Sequence, residues 1–149
     1  MPSNQHNFDC EAMLVFRDEL FLFTKNRIDQ KTHWYSLPKV AGEYPAQLRG
    51  DFDTRGFLTA ATISDSKDAI TLLGYRDSSM VYQPFFWLLY DFEDDFIFEG
   101  KNIRLEIQLE EQLEALTFQS DKKLIFAGED ETGTDSKWIY KIDIEDYLK

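Results

Sequence analysis

The stretch Asp9-Cys-Glu-Ala-Met-Leu-Val-Phe-Arg-Asp-Glu-Leu-Phe-Leu-Phe-Thr-Lys25 decides the fold. Two short apolar runs flank the polar triplet Arg17-Asp18-Glu19, the pattern of two antiparallel strands reversing at a turn. The pattern recurs in Phe57-Leu-Thr-Ala-Ala-Thr-Ile-Ser-Asp-Ser-Lys-Asp-Ala-Ile-Thr-Leu-Leu73 and in Gln112-Leu-Glu-Ala-Leu-Thr-Phe-Gln-Ser-Asp-Lys-Lys-Leu-Ile-Phe-Ala-Gly128. Anchored on Ala12, Ala60 and Ala115, the three copies repeat at steps of about 50 residues, the size of one β-propeller blade.

Each hairpin is followed by further strand-like sequence. In the first unit this is His33-Trp34-Tyr35-Ser36-Leu37 and Ala46-Gln47-Leu48-Arg49; in the second it is residues 85–90 and 103–109. The last of these alternates strictly, with apolar residues at 103, 105, 107 and 109, the two-residue period of a half-buried strand. Residues 110–116 contain good helix formers, but the repeat outweighs that local preference and predicts a strand. The third unit offers only Trp138-Ile139-Tyr140-Lys141-Ile142 after its hairpin. The expected fold is therefore an all-β β-propeller segment of three four-stranded antiparallel blades, over about 9–52, 57–109 and 112–149, with the last blade incomplete. Three blades make an open arc, and such an arc is expected to leave two apolar blade faces uncovered. A single closed barrel carrying an apolar ligand is the alternative, and it predicts no repeat of this length.

At 149 residues the chain is one domain in size. Its net charge of −12 argues against nucleic acid, which demands clustered Lys and Arg. The longest apolar run, residues 85–90, is too short for a membrane helix, and Met1-Pro2-Ser3-Asn4-Gln5-His6 lacks a signal-peptide pattern, so a soluble, unexported chain is expected. One cysteine, Cys10, and two histidines exclude an internal disulfide and the common zinc arrangements.

The segments Asn7-Phe8-Asp9-Cys10-Glu11-Ala12-Met13, Leu22-Phe23-Thr24-Lys25-Asn26-Arg27, Lys31-Thr32-His33-Trp34-Tyr35-Ser36-Leu37-Pro38, Leu72-Leu73-Gly74-Tyr75 and Gln83-Pro84-Phe85-Phe86-Trp87 together resemble the C-terminal half of a family of exported bacterial six-bladed propellers, similar in outline to the SdiA-regulated and phytase-like propellers. The resemblance runs over roughly residues 7–148. It implies a preceding half of similar size, usually behind a signal or lipoprotein peptide, and a periplasmic or extracellular location. Both segments are absent from this sequence, which points to a fragment, a truncated product or a half-ring completed by a second copy. In such a dimer the leading residues 3–8 of the partner are expected to complete the last blade.

The alignment places Glu11, Thr59 and Glu114 in one column at the start of each innermost strand, beside Lys25, Leu73 and Gly128. The loops that follow, Lys25-Asn26-Arg27, Tyr75-Arg76-Asp77 and Glu129-Asp130-Glu131, are expected to open onto one rim of a central channel. Ligand-binding candidates are thus Glu11, Lys25, Arg27, Thr59, Arg76, Glu114 and Asp130. Glu11, Glu114 and nearby Asp9 have the oxygen chemistry for a Ca²⁺; the competing reading is that the glutamates accept backbone hydrogen bonds and hold the blades in register. Lys25, Arg27 and Arg76 either take an anionic ligand or are solvated loop charges. Cys10 shares its column with Leu58 and Leu113 and reads as a small buried hydrophobe. Tyr82, Phe85, Phe86, Trp87 and Tyr90 read as core, and residues 91–95 as a water-facing turn. No nucleophile context or phosphate loop is present. The expectation is a non-catalytic propeller module binding a ligand or protein at the channel rim, with or without Ca²⁺. A lactonase- or phytase-like metal-dependent hydrolase is the enzymatic alternative, and it demands more converging acids and a second base.

Overall fold

The computed structural model describes residues 9–78, 81–128 and 138–149. These residues form three antiparallel meanders. The first sheet runs β1 (Asp9–Phe16), β2 (Glu19–Lys25), β3 (Thr32–Pro38), β4 (Gln47–Phe52). The second runs β5 (Phe57–Ile63), β6 (Ala69–Ser78), β7 (Val81–Tyr90), β8 (Lys101–Glu106), and the third β9 (Leu113–Ser120), β10 (Lys123–Gly128), β11 (Ile139–Asp143). Every strand pairs only with its neighbours in sequence, and none of the three sheets closes on itself. The single closed barrel is therefore not formed among the described residues. A single 3-10 turn, Glu145–Tyr147, follows the last strand.

The reversals fall where polar residues predict them. The β1–β2 turn is two residues, Arg17-Asp18, with Arg17 at φ 54°, and Lys67 in the β5–β6 turn lies at φ 65°. Residues 113–120 form a strand, so the repeat prevails over local helix preference. β8 stops at Glu106, short of the alternating pattern that reaches 109. Ile107 still donates to the Pro84 carbonyl at 2.9 Å, but Pro84 has no N–H to return, and the ladder ends there.

Sheet 2 lies between the other two. Phe85, Trp87 and Leu89 of β7 join Ala12, Leu14, Phe21 and Phe23 of sheet 1 in one core. The intervening Phe86, Leu88 and Tyr90 turn the other way, toward Leu113, Leu124 and Phe126 of sheet 3. This explains why residues 84–90 are buried without alternation: both faces of β7 are covered. The aromatic run is core, as its composition suggested; only Tyr82 is half-buried, its ring 5.1 Å from that of Tyr75. The segment after β7 is acidic outward and apolar inward. Asp91 and Asp94 pair with Lys101 and Arg17 at 2.8 and 3.2 Å, while Ile97 is fully buried and Phe98 stacks on Phe52 at 4.3 Å.

The first strands of the three sheets adjoin in order, β5 touching β1 on one side and β9 on the other. β9 breaks register near its end, at Gln119, and all three first strands break it at their starts: between Cys10 and Ala12, between Leu58 and Ala60, and between Leu113 and Ala115. The residues skipped at the starts are Glu11, Thr59 and Glu114.

Candidate functional site

A β-bulge leaves its extra residue out of the ladder and re-aims its side chain. All three residues of the Glu11–Thr59–Glu114 column occupy such positions. Gly74 and Gly128 face the second and third bulges, where an added Cβ would meet the Phe57 carbonyl at 2.5 Å and the Gln112 carbonyl at 2.8 Å. These two glycines are a signal that the strands approach too closely for a side chain.

Thr59 is buried, and its hydroxyl donates to the Leu113 carbonyl at 2.7 Å, fastening sheet 2 to sheet 3. Glu11 pairs with Lys25, whose Nζ lies 3.6 Å from the carboxylate and 5.2 Å from the centre of the Tyr75 ring. Lys25 is only 4% exposed, so it is no solvated loop charge. Its ammonium is held against an acid of its own sheet and an aromatic face of the next, both of which favour a cation. Sequence reading set Tyr75 in a rim loop but missed its contact with Lys25, because nothing in the spacing of a strand residue announces that a cation from another sheet will cover it.

The remaining candidates separate. Asp9 pairs with Arg27 at 3.3 Å on the exposed edge of the same site. Asp9, rather than Glu11, stands opposite Lys25: the ladder from the turn would set Cys10 there, and the bulge shifts the register by one more. Glu114 accepts a hydrogen bond from the Gln112 amide. Arg76 belongs to strand β6 and not to a loop, since the β6–β7 ladder continues to Ser78 and Val81. Its guanidinium meets Gln83 and Glu106 at 3.4 and 3.6 Å and lines an open cleft of about 620 Å³ with Glu110, away from the bulge column. Asp130, its loop neighbours and residues 3–8 lie outside the described residues. Among the described residues no group of three or more His, Cys, Asp or Glu is disposed to hold a metal ion.

Cys10 is exposed, contrary to the expectation of burial. Its column partners Leu58 and Leu113 are buried because sheet 1 packs on the former and sheet 2 on the latter; among the described residues no sheet packs on Cys10 in the same way. Desolvation by the surrounding strand still pushes the Cys10 thiol above its ordinary value, which disfavours the thiolate.

A second cleft, of about 440 Å³, opens at the other end of the strands between Phe16, Arg17, Asp68, Tyr90 and Asp94. There the two hairpin turns of sheets 2 and 3 are joined: the Ser66 N–H donates to Asp121 at 3.0 Å and holds that carboxyl below its ordinary value. Comparison with family models, with curated proteins and with solved structures found no match for this chain.

Proposed function

We propose that this chain is a three-blade arc of a six-bladed β-propeller, acting as a non-catalytic module that binds a ligand or a protein segment at the rim where β1, β5 and β9 begin. The observation that carries the reading is the recurrence of one bulge at Glu11, Thr59 and Glu114 on three first strands that adjoin in order. Three hairpins built to the same irregular plan and laid side by side by those strands are what blades around a common axis require. The chemistry at that end favours binding over catalysis. Glu11 and Asp9 are engaged by Lys25 and Arg27, and Glu114 by Gln112, which supports reading these carboxylates as anchors of the site.

Two-dimensional NMR with a library of soluble fragments tests the reading. Shifts confined to the backbone amides of Glu11, Lys25, Arg27 and Thr59 are expected. Shifts clustered instead at Arg17, Ser66 and Asp94 would put recognition at the opposite end and remove the proposed rim.

A further inference from the structure

The chain has six arginines, and acids are divided unequally among them. Arg17, Arg27 and Arg49 each meet an acid of their own, Asp94 at 3.2 Å, Asp9 at 3.3 Å and Asp95 respectively. Among the described residues, Arg55, Arg76 and Arg104 have a single carboxylate between them, that of Glu106. The register of sheet 2 gathers the last two arginines. Trp87 pairs with Arg104, Phe85 with Glu106 and Gln83 with Arg76, and residues two apart on a strand share a face. The β4–β5 connection lies across this face. The Trp87 indole and Arg104 Nη1 both donate to the Thr54 carbonyl, and the Arg55 guanidinium stands 5.0 Å from the centre of the Trp87 ring. Three cations thus face one carboxylate, an excess of two positive charges within a chain of net charge −12.

Arg104 shows what this excess lacks. Its side chain is 8% exposed, and its guanidinium lies 3.6 Å from the centre of the Phe85 ring. Nε donates to Glu106 Oε1 at 2.8 Å, while Glu106 Oε2 stands 3.6 Å from Arg76 Nη2. One carboxylate is divided between two guanidinium groups, and the buried Nη2 of Arg104 is left with no acceptor. A guanidinium grips an oxyanion best through two parallel N–H groups, so this fork is half used. Burial pushes the Arg104 pKa below its ordinary value, and the charges of Arg76 and Arg55 work in the same direction, against Glu106. Access is from the side of Glu106, which is 42% exposed and lines the cleft of about 620 Å³ together with Arg76 and Gln83. Glu110 lines the same cleft but forms no ion pair with the three arginines.

We infer that Arg55, Arg76 and Arg104 form a site for a phosphate group, with Glu106 as the internal carboxylate that the phosphate displaces from the Arg104 fork. A phosphate carries about two negative charges near neutral pH, which matches the excess, and it has oxygens enough to serve several guanidinium groups at once. The inference is independent of the propeller reading, because it uses only sheet 2 and the connection that crosses it.

Two-dimensional NMR of the arginine Nε–H groups tests it, with inorganic phosphate and O-phosphoserine titrated separately at constant ionic strength and circular dichroism as the folding control. Saturable shifts at Arg104 and Arg76 are expected with either phosphate, and the tighter of the two tells a free anion from an esterified one. Arg55→Gln and Arg76→Gln replace exposed side chains and are each expected to keep the fold and weaken binding about tenfold. Glu106→Gln removes the competing carboxylate and is expected to tighten it, an opposite sign that a purely structural cluster would not give. Absence of a saturable shift in both wild type and Glu106→Gln up to about 20 mM phosphate would overturn the site. So would unchanged binding in Arg76→Gln, or shifts confined to Lys25 and Arg27. Acetate saturating the same signals as readily as phosphate would overturn the choice of phosphate.

Discussion

Two buried threonines on adjacent strands of sheet 2 are expected to respond oppositely to the same substitution. Thr59 and Thr71 are both buried on sheet 2. The Thr59 hydroxyl donates to the Leu113 carbonyl across the junction with sheet 3, whereas the Thr71 hydroxyl has no hydrogen-bond partner. Valine keeps the shape of threonine and removes the hydroxyl. At position 59 the change forfeits one buried hydrogen bond and takes a donor from a carbonyl of fully buried Leu113, a loss of about 2 kcal/mol. For a chain of this length that lowers the melting midpoint by roughly 4–8 °C. At position 71 the change removes a hydroxyl that is dehydrated without compensation, and stability is expected to rise by about 1 kcal/mol. Thermal unfolding followed by circular dichroism, with urea titration to fix the slope, reads both. If Thr59→Val leaves the midpoint unchanged, or both variants move the same way, the fastening of sheet 2 to sheet 3 through the bulge is refuted.

Glu11→Gln leaves the Lys25 ammonium buried with only the Tyr75 ring beside it, and urea unfolding is expected to show a loss of about 1–2 kcal/mol, moderated because Glu11 is one-third exposed. Phe21→Ala empties a fully buried site whose ring sits edge-on to Trp34 at 4.9 Å, and a loss of about 3–5 kcal/mol is expected in the same assay. The Tyr140 hydroxyl donates to Glu111 at 2.7 Å, which pushes its pKa up to about 12. Because the folded chain holds this proton more tightly than the unfolded one, its contribution is complete below the ordinary tyrosine range and is lost as pH rises through that value. Absorbance titration is expected to show a late-ionising component that Tyr140→Phe removes and Glu111→Gln moves back toward the ordinary tyrosine range.

Strand positions were legible because they follow from local chemistry. Alternation marked β8, polar triplets and tetrads marked the hairpin turns, and an unbroken apolar run marked β7, the strand covered on both faces. What failed depended on neighbours remote in sequence. Cys10 reads like Leu58 and Leu113, yet those two are buried by the sheets that pack on them, and among the described residues none packs so on Cys10. Lys25 looks like a loop charge until Tyr75, far along the chain, is folded over it. The end of β8 is set by a proline on its partner strand, and Arg76 is drawn into β6 by the length of β7. Of the candidate site, the column Glu11–Thr59–Glu114 was visible from alignment alone, but its bulged geometry was not, since only register between strands reveals an extra residue.

The ordering of the sheets about one axis is tested most directly by a crystal structure of the particle that the chain forms in solution. The account predicts sheets radiating from one axis, with β1, β5 and β9 innermost and the bulges at Glu11, Thr59 and Glu114 all at one end. First strands that do not share a centre, or bulges that fall at different ends, would contradict it.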